Sequence, residues 1–358
     1  LQRPPNAHLR DILQCGIQAP SAENKHHLRF EADGQTVRVV ATDSASWTAQ
    51  PHRRFLTLTA CGAVLENMRL RACQLGYEQV TQWWPMPREA SWIAHCTWRH
   101  VVCAPDPLAN AIAQRHTNRR FYQRRPVPAA ARARLSAAVA AVPGAELMWL
   151  DSAAQRSTAL RAVRIAETER FRRRLLHEEM FSSIRFDVGW RKPTDEWLAP
   201  GALEVEPPMR PGFRAIGSWP LMRGLCCIGA HHGLGLRAGT LPCALSPHLG
   251  LIVCTSQFEG SSALQTGRAL QRAWLAATVE ALAFQPMAAS VVLTHQPAGG
   301  GNVSVSAQRR IQQALAALTG SGRLPGMLFR LGYAEPPSVV AGRPPLAQFL
   351  APELADVV

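Results

Sequence analysis

Lysine is almost missing from this chain. Only Lys25 and Lys192 occur among its 39 basic residues, so the net charge of +14 is carried by arginine. No apolar run approaches the roughly 18 residues that a membrane span needs, which excludes a helical transmembrane protein. The opening LQRPPNAHLR has no apolar h-region, so no signal peptide is expected in it. No C-x-x-C pair, G-x-G-x-x-G fingerprint or P-loop occurs; Ala298-Gly299-Gly300-Gly301-Asn302 lacks the Lys-Ser/Thr that would follow and reads as a plain loop. With 47% hydrophobic and 18% charged residues, collagen, coiled-coil and disulfide-scaffold classes fail, leaving an ordinary globule. At 358 residues it forms two domains or one large one.

Arginine without lysine argues against a nucleic-acid binder, since the arginines are spread along the chain with only local knots at 119–120, 124–125 and 172–174. Bidentate phosphate recognition by a few of them, with the rest solvated, is the better expectation. The nine cysteines are odd in number and mostly in apolar surroundings, so buried reduced thiols in a cytoplasmic protein are expected. The adjacent Cys226 and Cys227 are a poor redox pair. His231-His232 has no flanking ligands at helical spacing, so no metal is expected.

Periodicity predicts helices over 8–19, 57–76, 108–116, 129–142, 157–176, 218–235, 264–283 and 306–318. It predicts strands over 27–32 and 36–41, joined at Asp33-Gly34, and over 91–103, 146–150, 250–255 and 328–333. Residues 177–213 are punctuated by five prolines, with Trp190 and Trp197 between them; an internal aromatic-bearing segment of this kind reads as a lid.

Two stretches carry chemistry. Arg115-His116-Thr117-Asn118-Arg119-Arg120-Phe121 gathers guanidinium, imidazole and hydroxyl donors in one turn, a set suited to a phosphate and a ribityl chain. Ala19-Pro20-Ser21-Ala22-Glu23-Asn24 ends a helix and presents Ser and Asn on a tight loop. Each alone reads as a basic turn or a simple cap.

Together they resemble the R-x-S/T-x-R-x-F and A-P-S-x-x-N signatures of the nitroreductase family of flavoproteins. Ser262–Ala283 looks like the family's buried helix, Ala281–Ala289 like the segment against the flavin, and Leu328–Tyr333 and Arg343–Leu346 like its closing strand and basic tail. The Acg-type subgroup fits best. The resemblance implies an α+β, nitroreductase-like fold and FMN as cofactor. In the family the Arg signature precedes the Ser/Asn loop. Here the order is reversed, and Val142-Pro143-Gly144-Ala145 stands where a second Ser/Asn loop would fall. The resemblance therefore implies an internally duplicated, fused pseudo-dimer: an N-terminal half over 1–104, and a C-terminal half over 105–358 containing the lid-like segment. One flavin would lie between them, and the chain would be a monomer or a homodimer.

By motif match, Arg115 and Thr117, with His116 beside them, would hold the phosphate and ribityl end. Arg330 or Arg343 would add a phosphate contact. Arg119 would sit at the flavin N1–O2 edge, Pro20, Ser21 and Asn24 would reach in from the other half, and Pro286, Met287 and Ala288 would lie near N5. Two positions depart from the family: His26-His27-Leu28 replaces Q-P-W, and Ala288 replaces an acidic residue. The implied activity is hydride transfer from NAD(P)H through the flavin to a nitroaromatic, quinone or similar acceptor. The alternative is an FMN store without turnover. Neither nucleic acid nor membrane is expected as a partner, and no catalytic acid or base is legible.

Overall fold

The computed structural model describes residues 4–34, 36–84, 89–102, 104–255 and 261–355. Near the N-terminus, Leu9, Ile12, Leu13 and Ile17 bury one face of a helix over Asn6–Ile17 (α1). The expected hairpin follows as Leu28–Asp33 (β1) against Thr36–Ala41 (β2), antiparallel with Leu28 opposite Ala41. A long helix, Pro51–Gln74 (α2), leads to Tyr77–Trp83 (β3) and Trp92–His100 (β4). All pairings are antiparallel and the strand order is β1-β2-β4-β3. β3 escaped the sequence reading because its alternation is inverted. Gln79 points inward and donates to the Leu65 carbonyl (3.3 Å), while Val80 faces water.

The expected helix over 108–116 is a 3-10 stretch, Pro107–Gln114, after which the Arg115–Arg125 turn leads to Ala129–Ala140 (α3) and Ala145–Trp149 (β5). A helical insertion comes next: Ala153–Arg172 (α4), Arg174–Ser182 (α5), Arg210–Ala215 (α6), Trp219–Cys227 (α7), Ala230–Gly235 (α8) and Leu241–Leu245 (α9). The chain then forms His248–Cys254 (β6), Ser261–Val279 (α10), Ala283–Pro286 (β7), Ala289–His295 (α11), Val305–Thr319 (α12) and Leu324–Gly332 (β8). The second sheet runs β5-β6-β8-β7, again antiparallel throughout. Both sheets thus repeat one plan: helix, two strands, a long helix, two strands, with the last strand inserted beside the second. β7 was not foreseen because it is four residues long and ends in proline.

The two long helices cross closely. A Cβ on Gly62 would lie 2.1 Å from the Leu264 carbonyl oxygen, and one on Gly267 would lie 1.9 Å from that of Thr59. Each glycine stands three residues past the residue its counterpart approaches, the reciprocal relation of a twofold contact. Beside the crossing, Gln271 donates to Asn67 (2.7 Å), and the fully buried Glu66 accepts from Arg69, Arg268 and Arg272 at 2.6, 3.0 and 3.0 Å.

The segment over 177–213 is more regular than its prolines suggest. It holds the end of α5, 3-10 turns at Phe186–Val188, Pro200–Leu203 and Pro207–Met209, and the start of α6. The expected helix over 218–235 breaks at Gly229, whose φ of 81° is left-handed. One cysteine departs from expectation: Cys73 is disulfide-bonded, with its partner outside the described residues, so the reduced-thiol reading does not hold throughout. Cys226 and Cys227 are free. Pro85 and Cys103 lie outside the described residues. Among the described residues no helix is long and apolar enough to cross a membrane, and no group of three or more His, Cys, Asp or Glu is arranged to hold a metal ion.

Candidate functional site

A cavity of about 660 Å³ opens where the loop after α1, the Arg115–Arg119 turn, the helical insertion and the β7–α11 corner meet. This volume lies within the roughly 300–1,000 Å³ of small-molecule sites. Pro20, Ser21, Asn24, Arg115, His116, Thr117, Arg119, Pro286, Met287, Ala288 and Arg343 all line it. Arg330 does not. Its guanidinium lies fully buried, donating to Gln285 (2.7 Å) and the Arg120 carbonyl (2.8 Å) over the Tyr122 ring. Arg343 is therefore the one of the two open to a ligand.

Two arginines gather at the C-terminal end of α1. Arg115 donates to the Gln18 carbonyl (3.0 Å) and lies 4.5 Å from the centroid of Trp274. Arg343 donates to the carbonyls of Ile17 (3.2 Å) and Ala19 (2.9 Å). Backbone carbonyls at a helix C-terminus favour cations, but no carboxylate pairs with either guanidinium among the described residues. Burial and the neighbouring Arg343 hold the Arg115 pKa well below its ordinary value, and burial lowers that of Arg343 to about 10. Arg119 forms a second pole. It donates to the Ala202 carbonyl (3.1 Å), and burial, then Arg330, lowers its pKa to about 10. An enclosed cation without a counterion is costly. Among the described residues no carboxylate pairs with Arg119 either, so three unpaired cations, Arg115 buried and the other two half-buried, line one cavity suited to an anionic or electron-rich ligand.

Unspent polar atoms surround it. Among the described residues, Ser21 Oγ, Thr59 Oγ1, His52 Nδ1, Arg115 Nε and Gln296 Oε1 are buried without a partner, and all five residues line the cavity. Buried polar atoms are normally bonded, so a cluster of orphans on one cavity points to a ligand. His26 shifts in the same direction: burial, then Arg343, lowers its pKa to about 3, so it is neutral, with Nε2 3.1 Å from the Ile17 carbonyl.

The loop itself is strained. Glu23 and Asn24 both have left-handed backbone, with φ of 55° and 59°. Asn24 is pinned there by donation to the Asp195 carbonyl (3.1 Å) and by accepting from Arg343. Its amide thus positions the loop against the insertion and Arg343. Met287 is likewise committed, its N–H donating to the Leu328 carbonyl (2.7 Å), and Pro286 has none to give; of these three, Ala288 is left to offer a backbone donor.

Sequence reasoning missed the far wall. His52, Leu56, Thr59 and Ala60 line the cavity from one face of α2 at i, i+4, i+7 and i+8. The signal was there in two polar residues within an otherwise buried face. Glu179 of α5 is bound by Arg53 (2.6 Å) and lies 3.5 Å from His52 Nε2; Arg53 also reaches Glu23 at 3.4 Å. Burial raises the Glu23 pKa, so this corner holds a carboxyl reluctant to ionise.

No family model matches the chain, and no curated protein matches its sequence. Solved structures do match in part. A nitroreductase with bound FMN from Bacteroides fragilis shares 12% identity over 64% of this chain and 89% of its own, with a TM-score of 0.33. An FMN-dependent nitroreductase from Mycobacterium smegmatis in complex with NADPH shares 15% over 63% and 86%, with a TM-score of 0.32. A nitroreductase-like family protein from Bacillus cereus shares 10% over 69% and 95%, with a TM-score of 0.35. These values are too low to decide the family, and the functional reading rests on the cavity.

Proposed function

We propose that this chain is an FMN-dependent oxidoreductase of nitroreductase type in which two fused, unlike halves, 1–104 and 105–358, share one flavin. The observation that carries this reading is the set of three arginines, Arg115, Arg119 and Arg343, that no carboxylate pairs with among the described residues, on a cavity that Ser21 enters from the other half. The donor chemistry fits FMN at both ends. Arg115 and Arg343, adjacent at the end of α1, would take the phosphate, and Thr117 the ribityl chain. Arg119, backed by Arg330, would face the pyrimidine edge, where positive charge favours the reduced state. Trp274 supplies an aromatic wall and Ala288 a backbone donor.

When bound, FMN would accept and pass on hydride at N5, with a nicotinamide donor and a nitroaromatic or quinone acceptor as partners. The protein's part is to hold the phosphate, bias the charge and exclude water. Exclusion falls to the insertion, whose Leu198, Ala202 and Phe213 line the cavity and whose Asp195 carbonyl anchors Asn24. The test is anaerobic. Apoprotein loaded with FMN and mixed with NADPH should lose its flavin absorbance rapidly. Bleaching by dithionite but not by NADPH or NADH would favour an FMN store, and failure to retain FMN would end both readings.

A further inference from the structure

A helix facing water is normally polar on that side, and α7 is not. Its exposed residues are Pro220, Leu221, Arg223, Gly224 and Cys227, followed at its end by Ile228, which is 81% exposed. Leu221 and Ile228, seven residues apart, lie on this exposed side, and Leu225 between them is half-buried against the cluster below. The opposite side, through Met222, packs into an apolar cluster with Phe171, Phe181 and Ile216. The exposed side thus carries Leu221, Cys227 and Ile228 with a single charge, Arg223, and no described residue covers it.

The charge around this face has one sign. No Asp or Glu occurs from 207 to 258. Arg223 is exposed on α7, and Arg172, exposed at the end of α4, is close enough to Cys226 to depress its thiol pKa against the stronger effect of burial. Glu178 of α5 and Glu206 are paired with Arg174 and Arg237. A second copy of the chain docking here by twofold symmetry would bring arginine against arginine. An apolar helix face that bears Arg223 and is flanked by Arg172 is instead complementary to an anionic bilayer surface, with apolar side chains below the headgroups and guanidiniums among the phosphates.

We propose that α7 is a membrane-surface docking element for anionic phospholipid. This runs against the sequence expectation of no membrane partner, in which an anionic-surface binder had only the net charge to support it; interfacial docking needs no spanning segment. No α7 residue lines the cavity, so the proposal stands apart from the flavin reading. The two are neighbours, however, because Phe213 and Ile216, just before α7, form part of the cavity wall.

The test is cosedimentation of the full chain with vesicles of phosphatidylcholine containing 30% phosphatidylglycerol, and with phosphatidylcholine alone. Binding is expected to the anionic vesicles, falling at least tenfold in Leu221→Asp/Ile228→Asp and severalfold in Arg172→Gln/Arg223→Gln. An environment-sensitive dye on the exposed Cys227 should shift to the blue on vesicle addition, a readout that needs no folded variant. The proposal is overturned by absence of vesicle binding. It is equally overturned if binding is abolished by salt but unchanged in the aspartate variant, which would assign it to net charge alone. A wild-type dimer that Ile228→Asp makes monomeric would show the face to be a contact between copies.

Discussion

Replacing Glu66 by glutamine tests how the two halves are held together. Its carboxylate is fully buried at the α2–α10 crossing, bound by one arginine of its own helix and two of the other. Burial alone would raise its pKa, but Arg69, Arg268 and Arg272 together lower it from 4.5 to about 2. A depressed carboxyl stabilises the fold above its unfolded pKa and loses that contribution as pH falls through the folded one. A shift of this size corresponds to about 3 kcal/mol at neutral pH. Of this, roughly 0.8 kcal/mol is gone at pH 4 and about 2 at pH 3. The glutamine variant also leaves Arg268 without a carboxylate and Arg69 and Arg272 with Asp106 alone among the described residues, which brings the expected loss at pH 7 to about 3–5 kcal/mol. Urea unfolding of wild type and Glu66→Gln, followed by circular dichroism at intervals from pH 7 to 3, gives the difference directly. It should be constant above about pH 5.5 and narrow below it. A difference under about 1 kcal/mol, or one independent of pH, would refute the claim that this carboxylate clamps the halves.

Gly267→Ala should destabilise by about 3 kcal/mol or more, since its Cβ would meet a backbone carbonyl that can retreat only if the helices separate; a melting curve matching wild type would remove the close crossing. Arg115→Met should leave the apoprotein as stable or more so, by relieving a desolvated cation, while weakening FMN binding at least roughly tenfold; paired thermal melts and flavin titrations separate this from a structural role, which would lower both. His26 has its pKa lowered from 6.5 to about 3, so its contribution is whole above pH 6.5 and is lost as pH falls towards 3. His26→Gln should flatten stability between those limits, checked by melting temperature against pH. Asn24→Ala should cost about 1–3 kcal/mol through the freed loop and the Asp195 carbonyl; no loss would mean that the left-handed backbone holds itself.

Much of the architecture was legible because burial leaves a period. Leu9, Ile12, Leu13 and Ile17 gave α1, the alternation about Asp33-Gly34 gave the first hairpin, and the apolar circumference of 264–283 gave α10. What escaped was set by tertiary context. β3 turns a glutamine inward, β7 is too short for an alternation, and the insertion's 3-10 turns are held by tertiary packing such as Ala202 on Val339 and Phe186 on Phe213. The Ser/Asn loop and the Arg turn, about 90 residues apart in the chain, were legible as site-forming stretches, and both line one cavity. The roles of individual side chains were less legible. Arg330 turned inward, and Asn24 and the Met287 amide are spent on backbone, because hydrogen-bond partners distant in sequence decide where a polar group points. His52 and Thr59 left a trace only as polar residues on a buried face of α2, and Glu179 reaches the cavity through the packing of α5, which no local pattern encodes.

The central claim is that one flavin lies between the two halves, and stoichiometric binding tests it most directly. Apoprotein titrated with FMN, followed by loss of flavin fluorescence, should saturate at one equivalent per chain. Ser21→Ala in one half and Arg115→Met in the other should each weaken binding. Saturation at two equivalents, or affinity unchanged in both variants, would contradict a shared site.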